Sequence, residues 1–260
     1  MLELHSRRVG EADRPGMLLL HGLFGSSANW GSIARRLADR FYVLVPDLRN
    51  HGLSPHAAQH TYPDMVDDVL GLLDRERIER TILVGHSMGG KVAMHLALQH
   101  TQRVRGMVAV DMSPVRYTHD FAAVLAGFRA VDLGSIGSRQ DAERQMAQRV
   151  ASRGVRAFLL QNLVREQRGW AWRLNLDALA AAQADIVGFP EQGDAVYEGP
   201  AGFIHGALSD YVEPRHEPTI RQLFPAARLC RVAGAGHWVY ADQPDGFMRC
   251  LQAFLATVDT

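Results

Sequence analysis

The chain has 260 residues, 47% of them hydrophobic and 22% charged, with 28 basic side chains against 28 acidic ones. That length suits one single-core domain carrying an insertion, and the composition is that of an ordinary globular domain. A formal charge of zero excludes a global field that would draw in nucleic acid or an anionic membrane, and no apolar run reaches the roughly 18–20 residues that span a bilayer.

From the N-terminus, Met-Leu-Glu-Leu-His lacks the basic-then-apolar pattern of a signal peptide, so a cytoplasmic location is expected. The first strand is expected at about 17–22, where Met17-Leu18-Leu19-Leu20 runs into the glycine-bracketed loop His21-Gly22-Leu23-Phe24-Gly25. A helix at about 27–40, a strand at 42–48, a helix at 62–77 and a strand at 80–86 follow. That last strand feeds Gly85-His86-Ser87-Met88-Gly89 and a helix over 88–100, and the next strand, at 104–111, ends in Asp111. From about 115 to 198 the pattern turns helical and strand-poor: Phe121 to Val131, Gln140 to Ala151, Val155 to Val164 and Leu176 to Val187. Strands at 201–206 and 227–233 and helices at 214–224 and 244–258 complete the chain. Cys230 and Cys250 fall in a strand and a helix and are expected as two buried thiols, a disulfide being the weaker reading.

Apolar runs without strict alternation, separated by amphipathic helices, imply an α/β fold with a mostly parallel twisted sheet covered on both faces. Residues 1–114 and 199–260 then form the core domain, and 115–198 a helical cap inserted after the sixth strand in the fold's usual count. An extra packed helical layer without a binding role is the plainer reading of that insertion.

The chemistry sits where strands end. Gly-x-Ser-x-Gly between a strand and a helix holds the serine on a strained turn at the positive end of the helix, so Ser87 is the expected nucleophile. The backbone N–H groups of Leu23 and Met88 would form an oxyanion hole. His237, in Gly234-Ala235-Gly236-His237-Trp238 after the last strand, is the expected base. Two acids at strand ends, Asp111 and Asp210, can each complete a triad, and the order Ser, acid, His is that of the α/β-hydrolases. Phe24, Trp238 and His51 are candidate substrate contacts, and Trp170, Trp172, Phe158 and Leu163 candidate pocket walls, though each such side chain is individually more often core. His21 is expected to brace the oxyanion loop, His86 to be wedged beside the elbow, and Lys91 to be solvated or salt-bridged. Arg144, Arg149, Arg153, Arg156, Arg165, Arg168 and Arg173 face a single acid, Glu166, across their span; a solvated helical face is expected, a basic rim for coenzyme A the alternative. No metal-ligand spacing, phosphate loop or dinucleotide fingerprint is present, so neither metal nor cofactor is expected.

Leu20-His21-Gly22-Leu23-Phe24-Gly25, Asp47-Leu48-Arg49-Asn50-His51-Gly52-Leu53-Ser54-Pro55, Gly85-His86-Ser87-Met88-Gly89-Gly90-Lys91 and Val110-Asp111-Met112-Ser113-Pro114 resemble the YbfF-type esterases of the α/β-hydrolase superfamily. Their mitochondrial abhydrolase relatives and the yeast ethanol acetyltransferases share the pattern. The resemblance runs from about residue 16 to the C-terminus and implies Asp111, rather than Asp210, as the acid. The expected activity is that of a serine hydrolase cleaving carboxylic esters of short to medium acyl chains through an acyl-serine intermediate, with a small-molecule acyl ester or thioester as its partner. An acyltransferase or acyl-thioester hydrolase with the same triad is the alternative, and a non-catalytic binding protein on the hydrolase fold is the reading from another class.

Overall fold

In the computed structural model, which describes residues 1–118 and 120–258, the apolar runs assemble into a seven-stranded sheet. Its strands are β1 (Ser6–Val9), β2 (Gly16–Leu20), β3 (Tyr42–Pro46), β4 (Thr81–His86), β5 (Val104–Val110), β8 (Ala201–Gly206) and β9 (Ala227–Val232); β6 (Leu163–Glu166) and β7 (Gly169–Trp172) form a separate antiparallel hairpin. The spatial order is β1-β3-β2-β4-β5-β8-β9. β1 runs antiparallel to β3 and the remaining pairs are parallel. The register sets Leu20 beside Gly85, His86 beside Val110 and Val110 beside Ile204. The carboxyl ends of β2, β4, β5 and β8 therefore finish level, which is where open parallel sheets build their sites.

The helices are α1 (Gly31–Leu37), α2 (Tyr62–Arg75), α3 (Met88–Gln99), α4 (Ala122–Arg129), α5 (Arg139–Met146), α6 (Arg153–Leu159), α7 (Leu176–Ala181), α8 (Gln183–Val187), α9 (Glu217–Leu223), α10 (Val239–Asp242) and α11 (Pro244–Leu255). Strand side chains alternate between faces. Leu18 and Leu20 pack with residues of α2, α3 and α9, while Met17 and Leu19 pack with residues of α1 and α11. All four are fully buried, and truncating any one of the leucines to alanine would cost about 2–5 kcal/mol. α2 starts where Thr61 accepts a hydrogen bond from the Asp64 N–H, with a proline in its first turn.

The excursion between β5 and β8 carries α4 to α8 and the hairpin. It has an apolar cluster of its own, built on Leu125, Phe128, Met146, Leu159, Leu163 and Leu179, into which Phe24 of the β2 loop inserts.

Several expectations need correction. β1 was not expected: Ser-Arg-Arg-Val is an edge strand with two exposed arginines and has no apolar run to announce it. The stretch Val155 to Val164 is not one helix, because after α6 the chain passes through a short 3-10 turn and becomes the strand β6, whose partner β7 is also new. In this chain's own numbering the excursion leaves the sheet after β5. Cys230 and Cys250 are joined by a disulfide rather than standing as two thiols, their Cα atoms 6.0 Å apart on β9 and α11. Spacing in the sequence carried no signal for that pairing, since it arises from how α11 packs on the edge strand. Disulfides persist mainly in oxidising surroundings, so the bridge and the expected cytoplasmic location pull in opposite directions. Among the described residues no helix is long and apolar enough to cross a membrane.

Candidate active site

Ser87 lies between the end of β4 and the start of α3, with φ 52° and ψ −119°. A non-glycine residue in the positive-φ region is strained by about 1–3 kcal/mol and persists only where its surroundings hold it. Here they do. The Ser87 N–H donates to Val110 O at 3.0 Å, and its carbonyl accepts from Gly90 N–H at 2.8 Å. The two flanking glycines are obligatory: a Cβ on Gly85 would lie 2.0 Å from Gly89 O, and one on Gly89 would lie 2.5 Å from Leu20 O. The result is a partly exposed hydroxyl-bearing residue at the first turn of a helix, where the orphan N–H groups and the helix dipole favour negative charge.

His237 reaches this end of the sheet from the loop after β9. Its Nδ1 lies 2.7 Å from Asp111 Oδ2. A carboxylate accepts, so Nδ1 carries the proton and Nε2 of the neutral ring is left as an acceptor. Asp111 is fully buried and itself has positive φ, 52°. Its Oδ1 accepts from the Gly206 N–H at 3.0 Å, and its Oδ2 also accepts from the Ser209 hydroxyl. Burial of a carboxylate is tolerable only with partners of this kind. Tyr211 stacks on the His237 ring at 4.0 Å, and the buried His86 donates from Nε2 to His237 O at 2.8 Å. Burial, followed by the nearby His237, lowers the His86 pKa well below the ordinary histidine value, consistent with a neutral spacer beside the elbow. Asp210, the other candidate acid, is exposed beyond the end of β8, while its neighbour Ser209 serves Asp111.

The loop carrying Leu23 is held from beneath by the motif that begins at Asp47. Asp47 accepts from the N–H groups of Ser27 (2.6 Å) and Leu53 (2.9 Å). His21 Nε2 accepts from the Leu48 N–H at 3.0 Å, leaving its Nδ1–H for Gly22 O at 2.8 Å. His51 Nε2 accepts from the Phe24 N–H at 3.1 Å, while its Nδ1–H donates to Arg49 O at 2.9 Å. Phe24, at φ 61°, is thereby fixed in a conformation that leaves the preceding Leu23 N–H without a hydrogen-bond partner among the described residues. His60 continues the row: its ring lies 5.6 Å from that of His51, and its Nε2 is 3.4 Å from the sulfur of Met88. Burial is the leading cause lowering the pKa values of His21 and His51, and it brings His60 to about 4. His51 therefore supports the loop from inside the protein and does not line the cavity. Sequence reasoning missed Asp47, Arg49 and His60 as supports. Arg49 pairs with Asp68 at 2.7 Å, both buried.

Above these elements lies a cavity of about 180 Å³. Leu23, Phe24, Ser87, Met88, His237 and Trp238 all line it, together with Phe121, Phe158 and Ile186 from the excursion. Of the expected walls, Phe158 is present, 5.5 Å from the Trp238 ring. Leu163 belongs to the interior of the excursion, and the partly buried Trp170 and Trp172 pack against that interior. A second cavity of about 960 Å³ shares Asn29, Phe158, Trp238 and Tyr240 with the first and is rimmed by Arg7, Arg139 and Arg173. Lys91 is not solvated: it is 1% exposed and faces the first cavity. Among the described residues no three His, Cys, Asp or Glu side chains are grouped to hold a metal ion.

Residues 15–244 match the family described as alpha/beta hydrolase fold. The chain is 43% identical over 255 residues to the sn-1-specific diacylglycerol lipase ABHD11 of Mus musculus, covering 95% of this chain and 83% of the mouse protein. It is 37% identical over 242 residues to the esterase YbfF of Escherichia coli, covering 92% of each. Among solved structures, a marine microorganism esterase superposes with a TM-score of 0.94 at 34% identity, over 98% of this chain and 100% of its own.

Proposed function

The chain belongs to the alpha/beta hydrolase fold family, and from that premise we propose that it is a serine carboxylic-ester hydrolase acting on short- to medium-chain acyl esters through an acyl-serine intermediate. The observation that carries the reading is the 2.7 Å contact between His237 Nδ1 and Asp111 Oδ2 beside a serine held at positive φ. Asp111 fixes the tautomer that leaves His237 Nε2 free to take the Ser87 proton, and it stabilises the imidazolium that forms. The Ser87 oxygen attacks the acyl carbonyl, and the carbonyl oxygen becomes an oxyanion received by the N–H groups of Leu23 and Met88. The tetrahedral adduct collapses as His237 passes its proton to the departing alcohol, leaving the acyl-serine. Water, deprotonated by His237, repeats the sequence and releases the acid. An alcohol in place of that water would make the same site an acyltransferase.

The excursion between β5 and β8 acts in this reading as the cap. Its Phe121, Phe158 and Ile186 line the cavity that holds Ser87, which this reading assigns to the acyl chain, and the adjoining arginine-rimmed cavity is assigned to the leaving group. Each further methylene buried on the acyl side contributes about 0.8 kcal/mol until the space is filled. The test is a p-nitrophenyl ester series from acetate to decanoate, run beside Ser87→Ala. Turnover should rise with chain length and then fall sharply at medium chains, and the variant should lose at least about 10⁴-fold in kcat. A flat profile to long chains would point to an open groove, and undiminished turnover by Ser87→Ala would remove the serine mechanism.

A further inference from the structure

Lys91 follows Ser87 by four residues on α3, so it lies one helical turn along on the same side. α3 is buried from Met88 through Leu98, and an ammonium inside such a helix needs partners. They are main-chain oxygens of the cap: Lys91 Nζ donates to Val187 O at 2.9 Å and to Gly188 O. The carbonyl before these, Ile186 O, accepts from the hydroxyl of Tyr62 on α2 at 2.7 Å. Three consecutive carbonyls at the C-terminal end of α8, the negative end of a short helix, thus receive donors from two core helices. The start of the cap meets its exit at the same point, because the Tyr117 N–H donates to Val187 O at 2.9 Å. Lys91 Nζ also lies 4.8 Å from the centre of the Tyr117 ring. Lys91, Tyr117, Ile186 and Val187 all line the cavity that holds Ser87.

Resting on the esterase reading above, we propose that Lys91 is a positioning residue that pins the exit of the cap to the nucleophile's helix, and that by fixing this wall it sets the acyl length the enzyme accepts. Burial, with a smaller contribution from Arg116, lowers the Lys91 pKa to about 7. A neutral amine keeps two N–H donors, enough for the two carbonyls, so the pin holds on both sides of that titration.

The full-length protein is tested as wild type, Lys91→Met and Tyr62→Phe, with p-nitrophenyl esters of graded length, the mono-p-nitrophenyl ester of glutaric acid, and amide hydrogen exchange over 183–190. In Lys91→Met the octanoate-to-butyrate ratio of kcat/KM should rise about tenfold, the gain expected when room opens for roughly two more methylenes, with the change carried by KM. Tyr62→Phe should move the ratio in the same direction by less, and it tests the pin independently should Lys91→Met not fold. Exchange at the end of α8 should quicken in both variants. The wild-type ratio should be the same at pH 6 and pH 8.5. A length profile unchanged in a folded Lys91→Met overturns the proposal. So does a wild-type preference for the glutarate ester over the pentanoate ester that Lys91→Met erases, since the ammonium would then be a site for an acyl carboxylate. If the wild type turns over no ester, the esterase reading fails; the exchange measurement still decides whether Lys91 pins the cap.

Discussion

The sheet core and the excursion proposed as its cap are held by different means, and under the proposed function that difference separates chemistry from selectivity. In the core, Ser87 and Asp111 stand at the ends of adjacent parallel strands that keep one register from Ile82 to His86, and both carry strained backbone at the end of that ladder. His21, His51 and Asp47 then lock the neighbouring loop from a buried layer beneath it. Besides the Phe24 insertion and a backbone bond from Asn175 N–H to Asn50 O, the polar ties of the cap to the core include single side chains: Asn162 on Phe24 O, Asn175 on Asn50, Tyr62 on Ile186 O and Lys91 on the last turn of α8. In the proposed reading, the groups that must be placed within a fraction of an ångström sit on the rigid part, and the wall that would contact the variable acyl chain sits on the part held by tethers.

A core substitution that leaves the chemistry intact would undo this division of roles. Asp111→Asn should lower kcat by about 10⁴-fold, since an amide favours the wrong tautomer of His237 and stabilises the imidazolium poorly. Asp210→Asn should change it only a few-fold, and steady-state kinetics on both folded variants decides between them. One layer down, His51→Ala removes the acceptor for the Phe24 N–H and lets the Leu23 loop drift. A loss of about 10²-fold in kcat with a smaller change in KM is expected, as for slight misplacement of a catalytic group.

The buried histidine layer also predicts how stability depends on pH. His21, His51, His60 and His86 have folded-state pKa values below the ordinary 6.5, His60 near 4. The unfolded chain therefore binds protons first as pH falls. The stability these neutral rings contribute is complete above about pH 6.5 and is lost as the pH drops toward 4, at about 1.4 kcal/mol per pH unit for each ring that stays neutral. Urea unfolding at pH 7.5, 6 and 5 measures it, and a constant unfolding free energy over that range would contradict it. The Cys230–Cys250 bond closes a loop of 20 residues, for which chain entropy gives about 3 kcal/mol. Thiol titration should find no free thiol before reduction, and reduction should lower stability without changing kcat. On the cap side, Phe158→Ala should shift the acyl-length profile by a few-fold only, because it removes one wall of the cavity and none of the reacting groups.

Much of the core was legible because burial on both faces of a parallel sheet writes unbroken apolar runs, as at Met17–Leu20 and Ile82–Val84. The elbow was legible because its two glycines are sterically required. What stayed hidden has common physical causes. β1 pairs through its backbone and needs no apolar side chains at the sheet edge. The β6–β7 hairpin packs Leu163, Trp170 and Trp172 on the excursion's own apolar cluster, so Leu163 reads as the end of the helical pattern that starts at Val155. Lys91 reads as a surface cation until α3 is seen to be buried from Met88 through Leu98, and the apolar neighbours Val92, Ala93, Met94, Leu96, Ala97 and Leu98 carried that signal. His51 reads as a loop residue near the site. Only the fold shows that its loop passes beneath Phe24, and that the whole Asp47–Pro55 motif serves as the support for Leu23.

The most direct measurement is labelling with a serine-directed fluorophosphonate, followed by intact mass and peptide mapping of the wild type, Ser87→Ala and Asp111→Asn. A hydrolase built around Ser87, His237 and Asp111 should take up one adduct per chain, on Ser87, with no adduct in Ser87→Ala and much slower labelling in Asp111→Asn. An adduct on another residue, or labelling of Ser87→Ala at the wild-type rate, would contradict the assignment of the nucleophile.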